Sequence, residues 1–163
     1  MDFSTIIGHE KQIRALKNSI KKGTISHSYL FEGEEGLGKK TVAYAFAKSL
    51  LCERGQDEPC NACSSCIKFD SSNHPDFKII SPTNDTIPIK EIVNLVKDIS
   101  IIPFESNRKI YIIDNCHNMR LESQNALLKT LEEPPEYVTI ILITSEKDKI
   151  IPTILSRCQI IKI

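Results

Sequence analysis

Phe31-Glu32-Gly33-Glu34-Glu35-Gly36-Leu37-Gly38-Lys39-Lys40-Thr41 is the stretch whose reading decides the fold. An apolar run, Tyr29-Leu30-Phe31, leads into it, and a helical pattern from Val42 to Leu50 follows. Strand, glycine-rich loop and helix in that order are the context a phosphate-binding P-loop requires. Gly33, Gly36 and Gly38 let backbone N–H groups turn around an anion, because no Cβ blocks the approach. The helix beginning there offers its positive end. Lys39 is placed to reach the β- and γ-phosphates.

One position departs from this pattern. A hydroxyl directly after the lysine would hold Mg²⁺, but Lys40 stands there. An ammonium has no lone pair for a metal, and its charge repels one. Thr41 comes next, yet one helical step turns it by about 100°. The loop suits phosphate and ill suits Mg·ATP, so ATP, ADP or phosphate binding is expected to be weak or absent.

Downstream, Arg108 to Ile113 is a near-continuous apolar strand ending in Asp114. Buried parallel strands have this composition, and ligands of open α/β sheets sit at their carboxyl ends. Asp114 therefore fits the Walker-B aspartate that holds Mg²⁺; a loop-capping aspartate is the other reading. The glutamate that polarises the attacking water in such ATPases is replaced by Asn115, which cannot act as a base. Tyr137 to Thr144 is a second buried strand. Its terminal Thr144 is either a nucleotide sensor or a backbone cap.

Cys52, Cys60, Cys63 and Cys66 lie within fifteen residues, with CxxC spacing on both sides of Cys63. Four soft ligands in such turns fit a tetrahedral zinc, and with every corner filled by cysteine the metal would be structural. The alternative is unrelated or redox-active cysteines. Cys116 and Cys158 are expected to be buried thiols, and His27 a packing or turn residue.

The chain has 163 residues, with 21 Lys+Arg balanced by 21 Asp+Glu. The length suits one α/β domain with a small insertion. Neutral overall charge argues against direct nucleic-acid or membrane binding. No signal peptide or membrane-spanning run is seen, so a cytoplasmic protein is expected. The last residues, Gln159 to Ile163, suggest a strand; a longer protein truncated there is expected, with a natural C-terminus as the other reading. Helices are expected from about His9 to Lys21, closed by Gly23, from Pro88 with an apolar stripe through Ile99, and over Glu122–Glu133.

Ile7-Gly8-His9-Glu10, His27 to Phe31, the P-loop, the four cysteines, Ile112-Ile113-Asp114, Ala126 to Pro135 and Ser156-Arg157-Cys158 occur in this order. Over essentially its whole length the chain resembles the N-terminal AAA+ domains of bacterial DNA polymerase III clamp-loader subunits, the gamma/tau and delta-prime group. The Leu-Leu-Lys-Thr-Leu-Glu-Glu-Pro-Pro run and the Ser-Arg-Cys triplet are its most specific parts. Lys40 and Asn115 are similar to the delta-prime branch rather than to the motor branch, which keeps Gly-Lys-Thr and Asp-Glu.

The resemblance implies an α/β P-loop (AAA+) three-layer fold over residues 1–163. It has a mainly parallel five-stranded sheet flanked by helices and an inserted zinc module at 51–67. A helical lid and an oligomerisation domain would lie beyond the chain. It further implies a non-hydrolysing stator subunit in a hetero-oligomer with gamma/tau and delta. Arg157 would reach in trans to a neighbour's γ-phosphate, and the sliding clamp and primer-template DNA would be met through the complex. Membership of the polymerase holoenzyme would follow, although no polymerase active site is seen. Two alternatives stand beside it: an active gamma/tau-like ATPase, and a nucleic-acid-binding zinc module with a vestigial P-loop.

Overall fold

β-Branched and aromatic residues dominate five short strands: β1 (Ser28–Glu32), β2 (Phe77–Ile80), β3 (Lys109–Ile113), β4 (Val138–Thr144) and β5 (Gln159–Lys162). They appear in a computed structural model that describes residues 2–163. All pair in parallel, in the order β2-β3-β4-β1-β5. The sheet is thus parallel throughout, where a mainly parallel one was expected. Every residue of β3 and β4 is buried, which is why both are continuous apolar runs rather than alternating ones.

Six helices cover the two faces: α1 (Glu10–Lys22), α2 (Lys39–Leu51), α3 (Ser64–Asp70), α4 (Ile89–Ile99), α5 (Leu121–Glu132) and α6 (Pro152–Leu155). The period-two alternation of strands assigns side chains to the layers. Tyr111, Ile113, Ile140 and Leu142 pack with α4, α5 and α6. Ile110, Ile112, Ile141 and Ile143 pack with α1, α2 and α3. Ala43, Ala45 and Ala47 are fully buried, so α2 lies close against the sheet. Phe46 meets Tyr29 edge to face at 5.1 Å.

Gly23, at φ +69°, ends α1 as expected. Pro88 caps α4 from just outside, at φ −61°, rather than occupying its first turn. Helix α3 has no counterpart in the sequence expectations. It lies in the cysteine-rich stretch, whose residues show no apolar periodicity, and runs to Asp70. No described helix is long and apolar enough to cross a membrane.

Candidate functional site

The parallel register sets Glu32 beside Thr144 and Lys162. The carboxyl ends of β1, β4 and β5, with Asp114 just after β3, therefore open on one edge. There the loop from Gly33 turns into α2. Gly36 and Gly38 adopt φ +80° and +87°, which explains glycine at both. Gly33 does not need a positive φ. A Cβ there would lie 2.7 Å from the Ile163 carbonyl oxygen, so close approach of the β5 end calls for glycine at this position. His9, itself left-handed at φ 57°, ties the N-terminal segment to the loop by an Nε2 to Leu37 carbonyl contact of 2.6 Å.

Lys39 is buried and donates from Nζ to the carbonyls of Gly33 (2.8 Å) and Glu34 (2.6 Å). Burial pulls its pKa below the ordinary lysine value, while the Glu35 and Asp114 carboxylates oppose that shift. Lys40 places Nζ 3.7 Å from Asp114 Oδ2, with its side chain about half exposed (49%) and that of Asp114 largely covered (17%). The same ammonium stands 5.7 Å from the Tyr44 ring centroid. A side-chain cation thus lies against the carboxylate that a divalent cation would use. Thr41, one step on, is half-buried at the start of α2.

Asn115 sits at φ 46°, ψ 52°, a left-handed position that asparagine tolerates better than glutamate. Thr144 is fully buried. Its hydroxyl accepts from the Glu146 amide (3.0 Å) and lies 2.8 Å from His117 Nδ1, so it caps the backbone beyond β4. His117 also contacts Glu146 Oε2 through Nε2 at 3.2 Å. Burial lowers the pKa of His117, and Glu146 works against that shift. Nothing in the spacing of His117 points to this contact.

Arg157 precedes β5, whereas the glycine-rich loop follows β1. With Tyr29 beside Gln159 and about 3.3 Å per residue, the two lie at opposite ends of the sheet, roughly 20 Å apart. Arg157 cannot serve its own loop. Its backbone is fixed by the Ser28 hydroxyl, which donates to its carbonyl at 2.9 Å. Its exposed side chain makes no hydrogen bond or ion pair among the described residues.

The four cysteines converge, their sulfurs all within 4.8 Å of one another. Cys52 and Cys63 are 3.9 Å apart, and Cys60 and Cys66 4.0 Å. A tetrahedral zinc about 2.3 Å from each sulfur needs separations of about 3.8 Å. Amides of Ala62 (3.4 Å) and Cys63 (3.2 Å) point at Cys60 Sγ, and that of Cys66 (3.4 Å) at Cys63 Sγ. The Ala62 amide foremost, and that of Cys63, pull the Cys60 thiol down to about 6, whereas burial pushes Cys66 up to about 12. All four are reduced. Such a cluster could hold a metal ion, with no corner left open for water. Cys116 is fully buried, as expected, and Cys158 only half-buried. His27 bonds the Val138 carbonyl through Nδ1 at 3.1 Å and lies apart from the cysteines.

The family model described as DNA polymerase III, delta subunit, matches residues 8–163. Over 154 residues the chain is 41% identical to DNA polymerase III subunit delta' of Bacillus subtilis, covering 93% of this chain and 47% of that protein. It is 40% identical over 157 residues to subunit tau/gamma of Haemophilus influenzae, covering 96% of this chain and 23% of that protein. Among solved structures, a gamma subunit-related protein of Thermotoga maritima superposes with a TM-score of 0.67 at 28% identity, covering 93% of this chain and 45% of that one. The chain therefore spans less than half the length of each of these relatives. From residue 8 onward, it belongs to the DNA polymerase III delta-subunit family, with delta' and tau/gamma subunits among its relatives.

Proposed function

We propose that this chain is the P-loop domain of a clamp-loader subunit that does not hydrolyse ATP and instead completes a neighbour's active site. The observation that carries the reading is the 3.7 Å approach of Lys40 Nζ to Asp114 Oδ2. A Walker-B carboxylate contributes to hydrolysis by holding Mg²⁺ against the phosphates. Here an ammonium of the same chain stands 3.7 Å from it, with three donors and no lone pair to offer a metal. Asn115 adds a second deficit, since an amide cannot take a proton from water. The glycines and Lys39 still suit a phosphate group, which is why weak nucleotide or phosphate binding at Gly33, Gly36, Gly38, Lys39, Lys40, Thr41, Asp114 and Thr144 is part of the proposal.

Arg157 supports the second half of the reading. A guanidinium is always charged and presents fork-shaped donors to a developing phosphoryl charge. Because it lies far from its own loop and has no partner among the described residues, its use is in trans, at a gamma/tau neighbour in a hetero-oligomer that includes delta. Cys52, Cys60, Cys63 and Cys66 would hold a structural zinc. The assembly, in the cytoplasm, would load the sliding clamp on primer-template DNA. Residues 1–163 then form one AAA+ domain, and the lid and oligomerisation domains belong to the remainder of a longer subunit.

A second reading, an active gamma/tau-like ATPase, draws on the near-equal identities of 41% and 40% to the two kinds of relative. It requires Lys40, whose side chain is half exposed, to swing away. Calorimetric titration with ATP and Mg²⁺, run beside a Lys40→Thr variant, separates the two. Binding that is absent or weak in the parent and gained in the variant is expected. Tight Mg²⁺-dependent binding in the parent would favour the ATPase.

A further inference from the structure

The buried cluster of Ser65, His74 and Asp76 has no part in nucleotide chemistry. It joins the cysteine cluster to an exposed loop. The Asp76 carboxylate, 2% exposed, accepts three consecutive backbone amides: Phe104 (2.6 Å), Glu105 (2.8 Å) and Ser106 (2.7 Å). That clamp fixes a segment whose apolar residues point outward, with Ile102 73% and Phe104 82% exposed. The Asp76 amide donates to His74 Nδ1 at 3.0 Å. The neutral ring therefore carries its proton on Nε2 and donates it to Ser65 Oγ at 2.8 Å. Ser65 in turn donates to the Leu51 carbonyl at 2.6 Å. Leu51 directly precedes Cys52, and Ser65 directly precedes Cys66.

The hydrogen bonds all run in one direction, from the Asp76 amide to the Leu51 carbonyl, with each donor and acceptor used. A cavity of about 360 Å³ lies between the cysteine segment and the loop, lined in part by Cys52, Ser65, His74, Glu105 and Ser106. The cysteine segment and the loop are linked through His74 and Asp76, and by one surface pair, Lys68 Nζ to Glu105 Oε1 at 2.5 Å. Such a surface pair is worth little. Helix α3 is seven residues long, too short to be stable by itself.

We infer that occupancy of the cysteine cluster by a metal ion sets the order of the Phe104–Ser106 loop, transmitted through Ser65, His74 and Asp76. His74 and Ser65 are positioning residues in this device. It rests on the cluster holding a metal, and it goes beyond that by coupling the metal to a surface loop. With the metal in place, Cys52 and Cys66 are cross-linked and Leu51 and Ser65 stay in register. Without it, α3 loosens, His74 loses its acceptor, and the Asp76 clamp loses its support.

Hydrogen exchange on the zinc-loaded protein tests this, with bound zinc counted separately. Removing zinc with a chelator should speed exchange at Phe104, Glu105 and Ser106 by about tenfold or more while β4 stays protected. Ser65→Ala, still zinc-loaded, should show the same fast loop exchange, and the chelator should add little further. His74→Phe serves if Ser65→Ala does not fold. Loop exchange unchanged by zinc removal, or equally accelerated in β4, would overturn the coupling. Zinc uptake below one ion per chain would overturn the metal itself.

Discussion

Lys40 and Gly33 show how one side chain, or its absence, decides what the glycine-rich loop can do. Lys40 is misplaced for a metal site, and its ammonium finds the carboxylate the metal would have used. The proposal of a disabled metal site rests on both, the lysine in sequence and the ion pair in space. Gly33 is different. The motif assigns it to an anion, whereas its Cβ position is taken by the Ile163 carbonyl at 2.7 Å. Gly33→Ala is therefore expected to push β5 away from β1, weakening the 2.8 Å bond from the Ile163 amide to the Glu32 carbonyl. Backbone cannot yield as a flexible side chain does, so overpacking of this kind costs about 1–3 kcal/mol. At about 2–4 °C per kcal/mol for a chain of this size, thermal unfolding should fall by several degrees. A variant melting with the parent would show that β5 has room after all.

Asp98 makes the corresponding point for elements, because it locks α4 to the sheet. It pairs with Lys78 of β2 at 2.8 Å and Lys109 of β3 at 3.1 Å, and accepts from the Tyr111 hydroxyl at 2.5 Å. Burial alone would raise its pKa, but Lys78, Tyr111 and Lys109 outweigh burial and hold it at about 2, against 3.8 ordinarily. A carboxyl depressed in the folded state contributes stability above its unfolded pKa and loses it as pH falls through the folded one. The contribution, about 2 kcal/mol, should be present above about pH 5 and disappear between about pH 4 and pH 2. Denaturant unfolding of Asp98→Asn against the parent measures it: the gap should close with acid, and a constant gap would refute the assignment. Helices and strands such as α4, β3 and β4 were legible because burial on one face or both writes a period into the apolar residues. Helix α3 was not legible, since sulfur positions, not an apolar stripe, shape it. Nor was the Asp76 clamp, because it joins residues about thirty apart through backbone amides, which leave no mark on composition.

Across the whole molecule, the parallel sheet acts as a spacer with different chemistry at each end. The glycine-rich loop, Lys40 and Asp114 sit at the carboxyl ends of the strands, and Arg157 at the opposite end, roughly 20 Å away by the rise of β1 and β5. A chain that cannot bring its arginine to its own phosphate site can still face a second chain with each end. The motif in sequence named Arg157, but only the strand register shows that its own loop lies beyond its reach. Arg157→Ala removes an exposed side chain with no partner among the described residues, so the isolated protein should melt as the parent does, within about 0.5 kcal/mol. Turnover of ATP by the assembled clamp loader should nonetheless fall, by up to about 10³-fold at the one neighbouring site if the arginine is its finger. Arg157→Lys keeps the charge without the planar fork, and should recover only a small part of that loss. Steady-state hydrolysis by complexes built with each variant decides the matter. Parent-like turnover with Arg157→Ala would leave the arginine as surface charge, and full recovery with Arg157→Lys would reduce its role to electrostatics alone.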